Sequence, residues 1–182
     1  MDCTRDKSDG NIKGGKMIKL VIPSEKYLSM YLEYCRDSFN KVDRVVPHDP
    51  TKFFYWKDSI ISNYHIQSLN DKIVNYWAIE DEKLVGVVVI RINLTPSTIN
   101  DGGNIDFVVN SKLQNKGYGT LLLSQGLEKA KRHGIVRALL TCEDSNIKAI
   151  KVIEKCNGKL ENKVISSNLD KQQLIRRYWI NL

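Results

Sequence analysis

The chain has 182 residues, 42% of them hydrophobic, which suits one globular domain with a proper core. It holds no apolar run of about eighteen residues and begins with no apolar signal segment, so we predict a cytoplasmic protein without a membrane partner. The net charge of +7 would speed the arrival of a polyanion, either an anionic cofactor or a nucleic acid.

The cysteines and histidines show no metal-binding pattern. Cys3, Cys35, Cys142 and Cys156 lack CxxC spacing, and the three histidines do not cluster with them. We therefore expect reduced thiols, no disulfide scaffold and no metal. The lysines are dispersed and no aromatic-basic recognition motif stands out, so a nucleic-acid-binding domain is only a weak alternative.

The N-terminal part begins with a polar, glycine-containing stretch. Residues 1–16 show no hydrophobic periodicity, which predicts a disordered extension in front of a single domain at residues 17–182. Residues 17–23 form an apolar run that ends at a proline and predicts a strand. After Ser24, a typical helix N-cap residue, apolar side chains recur every three or four positions and predict a helix. Residues 51–64 carry a second helical pattern.

The middle of the chain predicts a hairpin and a further strand. Residues 75–79 and 84–92 are rich in apolar and β-branched side chains and flank a polar turn at residues 81–83. Two glycines then precede the next strand candidate, residues 104–109.

The C-terminal part alternates helices and strands. Residues 121–132 carry a helical pattern that ends close to Gly134, a typical C-cap residue. A short apolar strand at residues 137–142 and a second amphipathic helix follow. Strand candidates at residues 159–165 and 173–180 close the sheet. These elements together predict a mixed α/β sheet.

A polar turn with two glycines joins the strand at residues 104–109 to the next helix. Gly117 and Gly119 have no Cβ, so their backbone can adopt positive φ and a ligand oxygen can approach the amides. The same amides begin a helix, whose unpaired N–H groups and dipole favour an anion. No P-loop motif occurs, and Leu122 stands where a dinucleotide fingerprint needs its third glycine. The turn therefore predicts another type of phosphate cradle, with a plain loop connection as the alternative.

The spacing Gln114-x-x-Gly117-x-Gly119 after a strand resembles the hallmark of the GNAT superfamily of N-acetyltransferases, (Arg/Gln)-x-x-Gly-x-(Gly/Ala), which wraps the pyrophosphate of acetyl-CoA. The order of elements in the chain is also similar. The resemblance implies an α/β (α+β) fold with a mixed, mostly antiparallel sheet of six to seven strands, helices on both faces and one splayed parallel strand pair. It further implies acetyl-CoA as co-substrate, no metal, and a homodimer as one common assembly.

The resemblance also implies which residues hold the cofactor. The acyl-pantetheine chain would lie between the splayed strands and pair with backbone groups of residues 107–109. Asn146, early in the last helix, would reach the cofactor, although a helix-start residue is the alternative role. The implied set is Phe107, Val108, Val109, Gln114, Asn115, Lys116, Gly117, Tyr118, Gly119, Thr120 and Asn146.

Acetyl transfer to a primary amine requires a base, because an ammonium group with a pKa of about 10.4 cannot attack a thioester. Strand alternation separates Asp106 from Ile105 and Phe107, and a carboxylate held among apolar neighbours is suited to accept a proton near neutral pH. A surface or salt-bridged aspartate is the alternative, and Glu143 is the reserve candidate. Ile153 stands where many members of the resembled family have the tyrosine that protonates the leaving thiolate.

In the resembled fold, the segment between the first two strands overhangs the acceptor. Phe54 and Trp56 in that segment, and Tyr178 near the C-terminus, are therefore candidate substrate contacts. The aromatic stripe at helical spacing would otherwise be core, as we expect Trp179 to be.

These observations predict an N-acetyltransferase that moves the acetyl group of acetyl-CoA to a primary amine. The acceptor would be a small molecule or a peptide, attacking directly without a covalent enzyme intermediate. A coenzyme A-binding module without turnover is the alternative, because the acid and the base are not both identified.

Overall fold

The structure is a computed structural model, and it describes residues 17–38, 72–96, 98–166 and 172–182. The predictions for residues 1–16 and for residues 51–64, including Phe54 and Trp56, lie outside the described residues.

The described chain alternates strands with helices in the predicted order. The strands are β1 (Lys19–Val21), β2 (Ile73–Glu80), β3 (Lys83–Arg91), β4 (Ile105–Val109), β5 (Arg137–Glu143), β6 (Lys159–Ser166) and β7 (Gln173–Asn181). The helices are α1 (Leu28–Ser38), α2 (Thr98–Asp101), α3 (Tyr118–Arg132) and α4 (Ile147–Lys155). The hydrophobic pattern of the sequence does not predict α2, since one helical turn is too short to show a period. Among the described helices, none is both long and apolar enough to cross a bilayer.

The strands form two antiparallel sheets. The first has the order β1-β2-β3-β4, and the second has the order β5-β7-β6. The break between the sheets falls between the edge strands β4 and β5, where the resemblance predicts a splayed pair. The predicted α/β class, with a mostly antiparallel arrangement of six to seven strands and helices, is confirmed.

The two sheets touch at one end of this break. The Asn104 N–H donates to the Leu139 carbonyl at 2.6 Å, and the Leu139 N–H donates to Asn104 Oδ1 at 2.8 Å. Gly103 is required beside this contact, because its φ is +69° and a Cβ would lie 2.6 Å from the Leu139 oxygen. The contact joins the edges of the two sheets, which are not paired as a ladder beyond it.

The first sheet is covered on both faces, which explains why β3 is apolar along its length. On one face, α3 packs against β3, and Gly126 leaves room for Val88, since a Cβ at Gly126 would lie 2.9 Å from the valine side chain. On the other face, the Tyr31 ring of α1 stacks on Trp77 with 5.3 Å between centroids. A strand buried between two layers needs apolar side chains at successive positions, and β3 is buried from Leu84 to Ile90.

Helix α3 begins nearer to the glycine turn than the hydrophobic pattern indicates. The pattern predicts residues 121–132, whereas the helix spans Tyr118–Arg132. Gly117 is its N-cap with φ +88°, and Gly134 follows its end with φ +86°. The earlier start brings the first-turn N–H groups next to the two glycines of the predicted cradle.

Candidate active site

A cleft of about 1200 Å³ is lined by both edge strands, β4 and β5. Strand β4 pairs with β3 along one edge, and the sheet ends there. The glycine turn, the start of α4 and the beginning of β7 also contribute to the lining. The cleft therefore coincides with the break between the sheets.

Gly117 provides an open cradle at the N-terminus of α3. Its backbone is left-handed, and nothing lies within 4 Å of the position that a Cβ would take. Asn115 also has positive φ, at 61°, so the chain turns sharply just before the helix. The first N–H groups of α3 have no helical acceptor of their own and carry the positive end of the helix dipole. This arrangement suits an anion such as a diphosphate.

Gly119 has a second function besides lining the cleft. A Cβ there would lie 3.2 Å from Val152 of α4 and 3.7 Å from the Phe107 ring of β4. The missing side chain therefore lets α3 and α4 approach each other beside β4. The sequence predicts only the ligand contact, because helix packing is not visible in a local motif.

Most of the predicted cofactor residues lie around this cleft. Those that line it are Phe107, Val108, Val109, Gln114, Asn115, Gly117, Gly119, Thr120 and Asn146. Lys116 and Tyr118 are not part of the lining.

The Tyr118 side chain points into the core instead of the cleft. It is 6% exposed, and its hydroxyl donates to Glu80 Oε2 at the end of β2. Burial, and then the neighbouring Glu80 carboxylate, raise the pKa of Tyr118 to about 12. The Tyr118 side chain is therefore directed away from the predicted cofactor site, and its hydroxyl fastens α3 to the β2–β3 hairpin.

Asn146 acts as the N-cap of α4. Its Oδ1 accepts a hydrogen bond from the Ala149 N–H at 3.1 Å, as the helix-start alternative predicts. Two lysines on the same helix, Lys148 and Lys151, also line the cleft, and Lys148 Nζ donates to Gln114 Oε1 at 3.1 Å. Nothing in the sequence motif singles out these lysines, although their spacing of three residues places them on one helix face.

Asp106 forms an ion pair with Arg91, with 2.7 Å between Oδ2 and Nη2. Its carboxylate is therefore not held among apolar neighbours, and the salt-bridged alternative describes it. Arg91 itself lines the cleft and was not a predicted site residue. Its place in the cleft depends on the register of β3 with β4, which pairs Asp106 with Val89, two residues before Arg91.

Glu143 lies at the end of β5 and lines the other wall of the cleft. Its side chain is half-buried, and no residue in the described ranges forms an ion pair or a side-chain hydrogen bond with it. The reserve candidate for the base thus has a carboxylate that is available to a ligand.

Further polar residues that line the cleft were not predicted. Ser166 Oγ donates to Asp101 Oδ2 at 2.6 Å, and Thr141 Oγ1 donates to the Asp101 carbonyl at 2.8 Å. Asn75, on β2, also reaches the cleft although it is only 9% exposed. Cys142 is half-buried nearby, and burial raises the pKa of its thiol to about 11, which disfavours a nucleophilic thiolate.

The two aromatic residues near the C-terminus, Tyr178 and Trp179, lie on opposite faces of β7. Tyr178 is fully buried and does not line the cleft, so its expected contact with the acceptor is wrong. Its hydroxyl donates to Glu154 Oε1 of α4 at 3.1 Å. Trp179 is half-buried on the opposite face of β7, where the Arg137 guanidinium lies 4.3 Å from its ring centroid. Strand alternation makes these assignments depend on which face of β7 the helices cover.

Solved structures with the same fold include several acetyltransferases. The microcin C7 self-immunity acetyltransferase MccE, solved with acetyl-CoA and AMP, has a TM-score of 0.70 at 17% identity and covers 93% of this chain and 94% of its own. The spermidine/spermine N-acetyltransferase SpeG from Vibrio cholerae, in mutant forms, has a TM-score of 0.63 at 16% identity, with 90% and 94% covered. An N-acetyltransferase from Staphylococcus aureus Mu50 has a TM-score of 0.62 at 17% identity, with 90% and 98% covered.

Sequence comparison gives a complementary result. Among curated proteins the sequence has no significant match. The model of the acetyltransferase (GNAT) family matches residues 29–158, a range that includes β4, the glycine turn, α3, β5 and α4. Since this match spans most of the chain and the fold agrees with it, the protein belongs to the acetyltransferase (GNAT) family.

Proposed function

We propose that the protein is an N-acetyltransferase that transfers the acetyl group of acetyl-CoA to a primary amine. One observation carries this proposal: a single cleft contains the β4 edge opposite β3, the open cradle at Gly117 and the Glu143 carboxylate. These features correspond to a hydrogen-bonding edge for the acyl chain, an anion site for the diphosphate and a proton acceptor.

The residues around Gly117 fit the phosphate part of acetyl-CoA. The N-terminus of α3 supplies backbone N–H groups, and Lys148 and Lys151 add positive charge to the cleft. Along β4, the backbone of residues 107–109 would hold the pantetheine chain as an added strand pairs with a sheet edge. Bound in this way, acetyl-CoA supplies the acetyl thioester that reacts.

The carboxylates of the cleft suit a cationic acceptor. Asp101, Asp106 and Glu143 all line it. An ammonium group would therefore be attracted to these carboxylates before it loses its proton. Because Asp106 and Asp101 already have hydrogen-bond partners, Glu143 is the carboxylate that meets the amine.

Glu143 acts as the base in this proposal. Its carboxylate takes a proton from the ammonium group, directly or through one water, and the amine nitrogen then bonds to the acetyl carbon. The nitrogen releases its second proton to solvent, and the carbon–sulfur bond breaks to leave the amide. The sulfur keeps the electron pair and takes up a proton from solvent. Ile153 is 1% exposed and cannot supply that proton, but a thiolate is a good enough leaving group to depart without help.

A coenzyme A-binding module without turnover is the second candidate. The observation that favours it is Ile153 at the position of the tyrosine in the resembled family. Burial also raises the pKa of Tyr178, so that residue is a poor substitute as an acid.

Two measurements on the purified protein test the proposal. Acetyl-CoA at saturating concentration should raise the melting temperature, since a ligand that binds the native state stabilises it by mass action. Release of thiol from acetyl-CoA in the presence of primary amines should then exceed the rate without amine. A melting shift without amine-dependent thiol release would identify the binding module, and the absence of any shift would reject both candidates.

A further inference from the structure

Asn75 is an exception within a strand whose other side chains are mostly apolar. It lies near the start of β2, in the sequence Ile-Val-Asn-Tyr-Trp-Ala-Ile-Glu, and asparagine is disfavoured in strands. Its side chain is 9% exposed, yet it lines the cleft. An amide at such a position requires an explanation beyond strand formation.

The strand register places Asn75 on the floor of the cleft. Asn75 is opposite Val89, and Val89 is opposite Asp106, so these residues form one row across three strands. With roughly 5 Å between neighbouring strands, Asn75 is about 10 Å from the β4 backbone. The cleft therefore extends from the edge where the acyl chain would lie to a second polar position further inside the sheet.

The Asn75 carboxamide has no side-chain hydrogen bond with any residue in the described part of the chain. The other polar groups of this floor are occupied. Arg91 donates to Asp106 at 2.7 Å and to the Gly103 carbonyl at 3.4 Å, and Asp101 accepts from Ser166. Since Asn75 lines the cleft, its carboxamide can hydrogen-bond to a ligand there without giving up a partner in the described part of the chain.

We infer that Asn75 determines acceptor specificity by binding a polar group at the far end of the amine. This inference rests on the proposed N-acetyltransferase function and goes beyond it by naming the acceptor class. The reacting nitrogen meets Glu143 on one wall, while a hydroxyl, amide or second amine on the same molecule binds the carboxamide of Asn75. The preferred acceptor is thus a polar-tailed primary amine, and a purely alkyl amine is a poor substrate.

The test compares matched pairs of amines with wild-type protein and with Asn75→Leu. Amino alcohols of graded chain length are paired with n-alkylamines of the same length, so that each pair differs only in the terminal hydroxyl. Wild-type protein should prefer the amino alcohol, and Asn75→Leu should lower kcat/KM for it by about tenfold while sparing the alkylamine. The acetyl-CoA KM should not change.

A stability measurement separates recognition from packing. Leucine resembles asparagine in shape, and the change removes no side-chain hydrogen bond within the described part of the chain, so Asn75→Leu should melt at about the same temperature. Asn162→Leu, on the exposed strand β6 and outside the cleft lining, is the matched control and should leave both rates unchanged. A lower melting temperature together with an equal loss of kcat/KM for both amines would show that Asn75 contributes only to packing.

The outcomes also distinguish this inference from the proposed function. If wild-type protein acetylates amines but Asn75→Leu keeps the wild-type preference between paired substrates, the specificity assignment is wrong and the function stands. If wild-type protein releases no thiol with any amine, the proposed function fails and the acceptor class fails with it.

Discussion

Arg91 and Asp106 form an ion pair across the neighbouring strands β3 and β4, and both side chains line the cleft. The pair fixes the orientation of the acid that the sequence first suggests as the base. Glu143, on the opposite wall, has no such partner among the described residues. The carboxylates of Asp106 and Glu143 therefore differ in their availability, and this difference can be measured.

Replacing Glu143 with glutamine should lower kcat by about a hundredfold or more, because a positioned base contributes at least that much to proton transfer. The acetyl-CoA melting shift should remain, since Glu143 is not part of the cradle. Asp106→Asn is the matched change, an acid to an amide in the same cleft. It should cost roughly 1 kcal/mol of unfolding free energy through the lost ion pair, with a smaller effect on kcat.

The pH–rate profile decides between the two acids. A base must lose its proton before it acts, so the rate falls on the acidic side, and Glu143→Gln should abolish that dependence. If Asp106→Asn abolished it and Glu143→Gln preserved it, the role of base would pass to Asp106.

Gly117→Trp should abolish the acetyl-CoA melting shift, because the new side chain fills the cradle at the start of α3. Gly134→Trp is a close control. Gly134 has a φ of +86°, close to the +88° of Gly117, and nothing lies within 4 Å of the position that its Cβ would take. It follows the other end of α3, away from the cradle. Both variants thus carry the same backbone strain. Equal loss of the shift in both variants would mean that strain, and not the filled cradle, is responsible.

The order of strands and helices could be predicted because its signals are local. Runs of apolar and β-branched side chains mark β2 and β3, and their turn residues Asp81 and Glu82 both adopt positive φ, at 46° and 59°. The glycine spacing of the cradle is local too, and Gly117 has the left-handed backbone that the motif implies. Such features depend on residues only a few positions apart.

The partners of the polar side chains could not be predicted, because they depend on register and on which faces are covered. Arg91 and Asp106 are 15 residues apart and meet through the pairing of β3 with β4. Tyr178 and Trp179 are adjacent but lie on opposite faces of β7. An error of one residue in the strand register would therefore exchange which of the two is predicted to be buried. Asn75 reaches the cleft only because three strands align in one row.

Tyr118→Phe should destabilise the protein by about 1–2 kcal/mol without changing its affinity for acetyl-CoA, because the hydroxyl binds Glu80 and not the cleft. The pKa of Tyr118 is raised to about 12, so its contribution to stability is complete below pH 10 and is lost as the pH rises towards 12. The phenylalanine variant should lose this alkaline dependence. Denaturant unfolding at neutral and alkaline pH measures this dependence. Weaker acetyl-CoA binding by the variant would instead show that the Tyr118 hydroxyl contributes to the cofactor site.

His133 should make the protein less stable in mild acid. Its Nε2 lies 2.9 Å from the Tyr76 hydroxyl, and burial, followed by the charges of Lys72 and Lys129, lowers the pKa of His133 in the folded state. The unfolded chain, with a histidine pKa of about 6.5, therefore binds the proton more readily than the native protein. The unfolding free energy should fall as the pH drops below about 6.5 and level off beneath the folded pKa.

Denaturant unfolding of His133→Gln over the same pH range tests this assignment, since the variant should lose part of the acid dependence while its stability at neutral pH changes little. Lys129→Gln removes one of the charges that lower the pKa of His133, so it should reduce the acid dependence by a smaller amount. The acid dependence should thus be largest in the wild type, smaller in Lys129→Gln and smallest in His133→Gln. This order is expected only if burial and the neighbouring lysines lower the pKa of His133. An acid dependence in His133→Gln equal to that of the wild type would assign the effect to other groups.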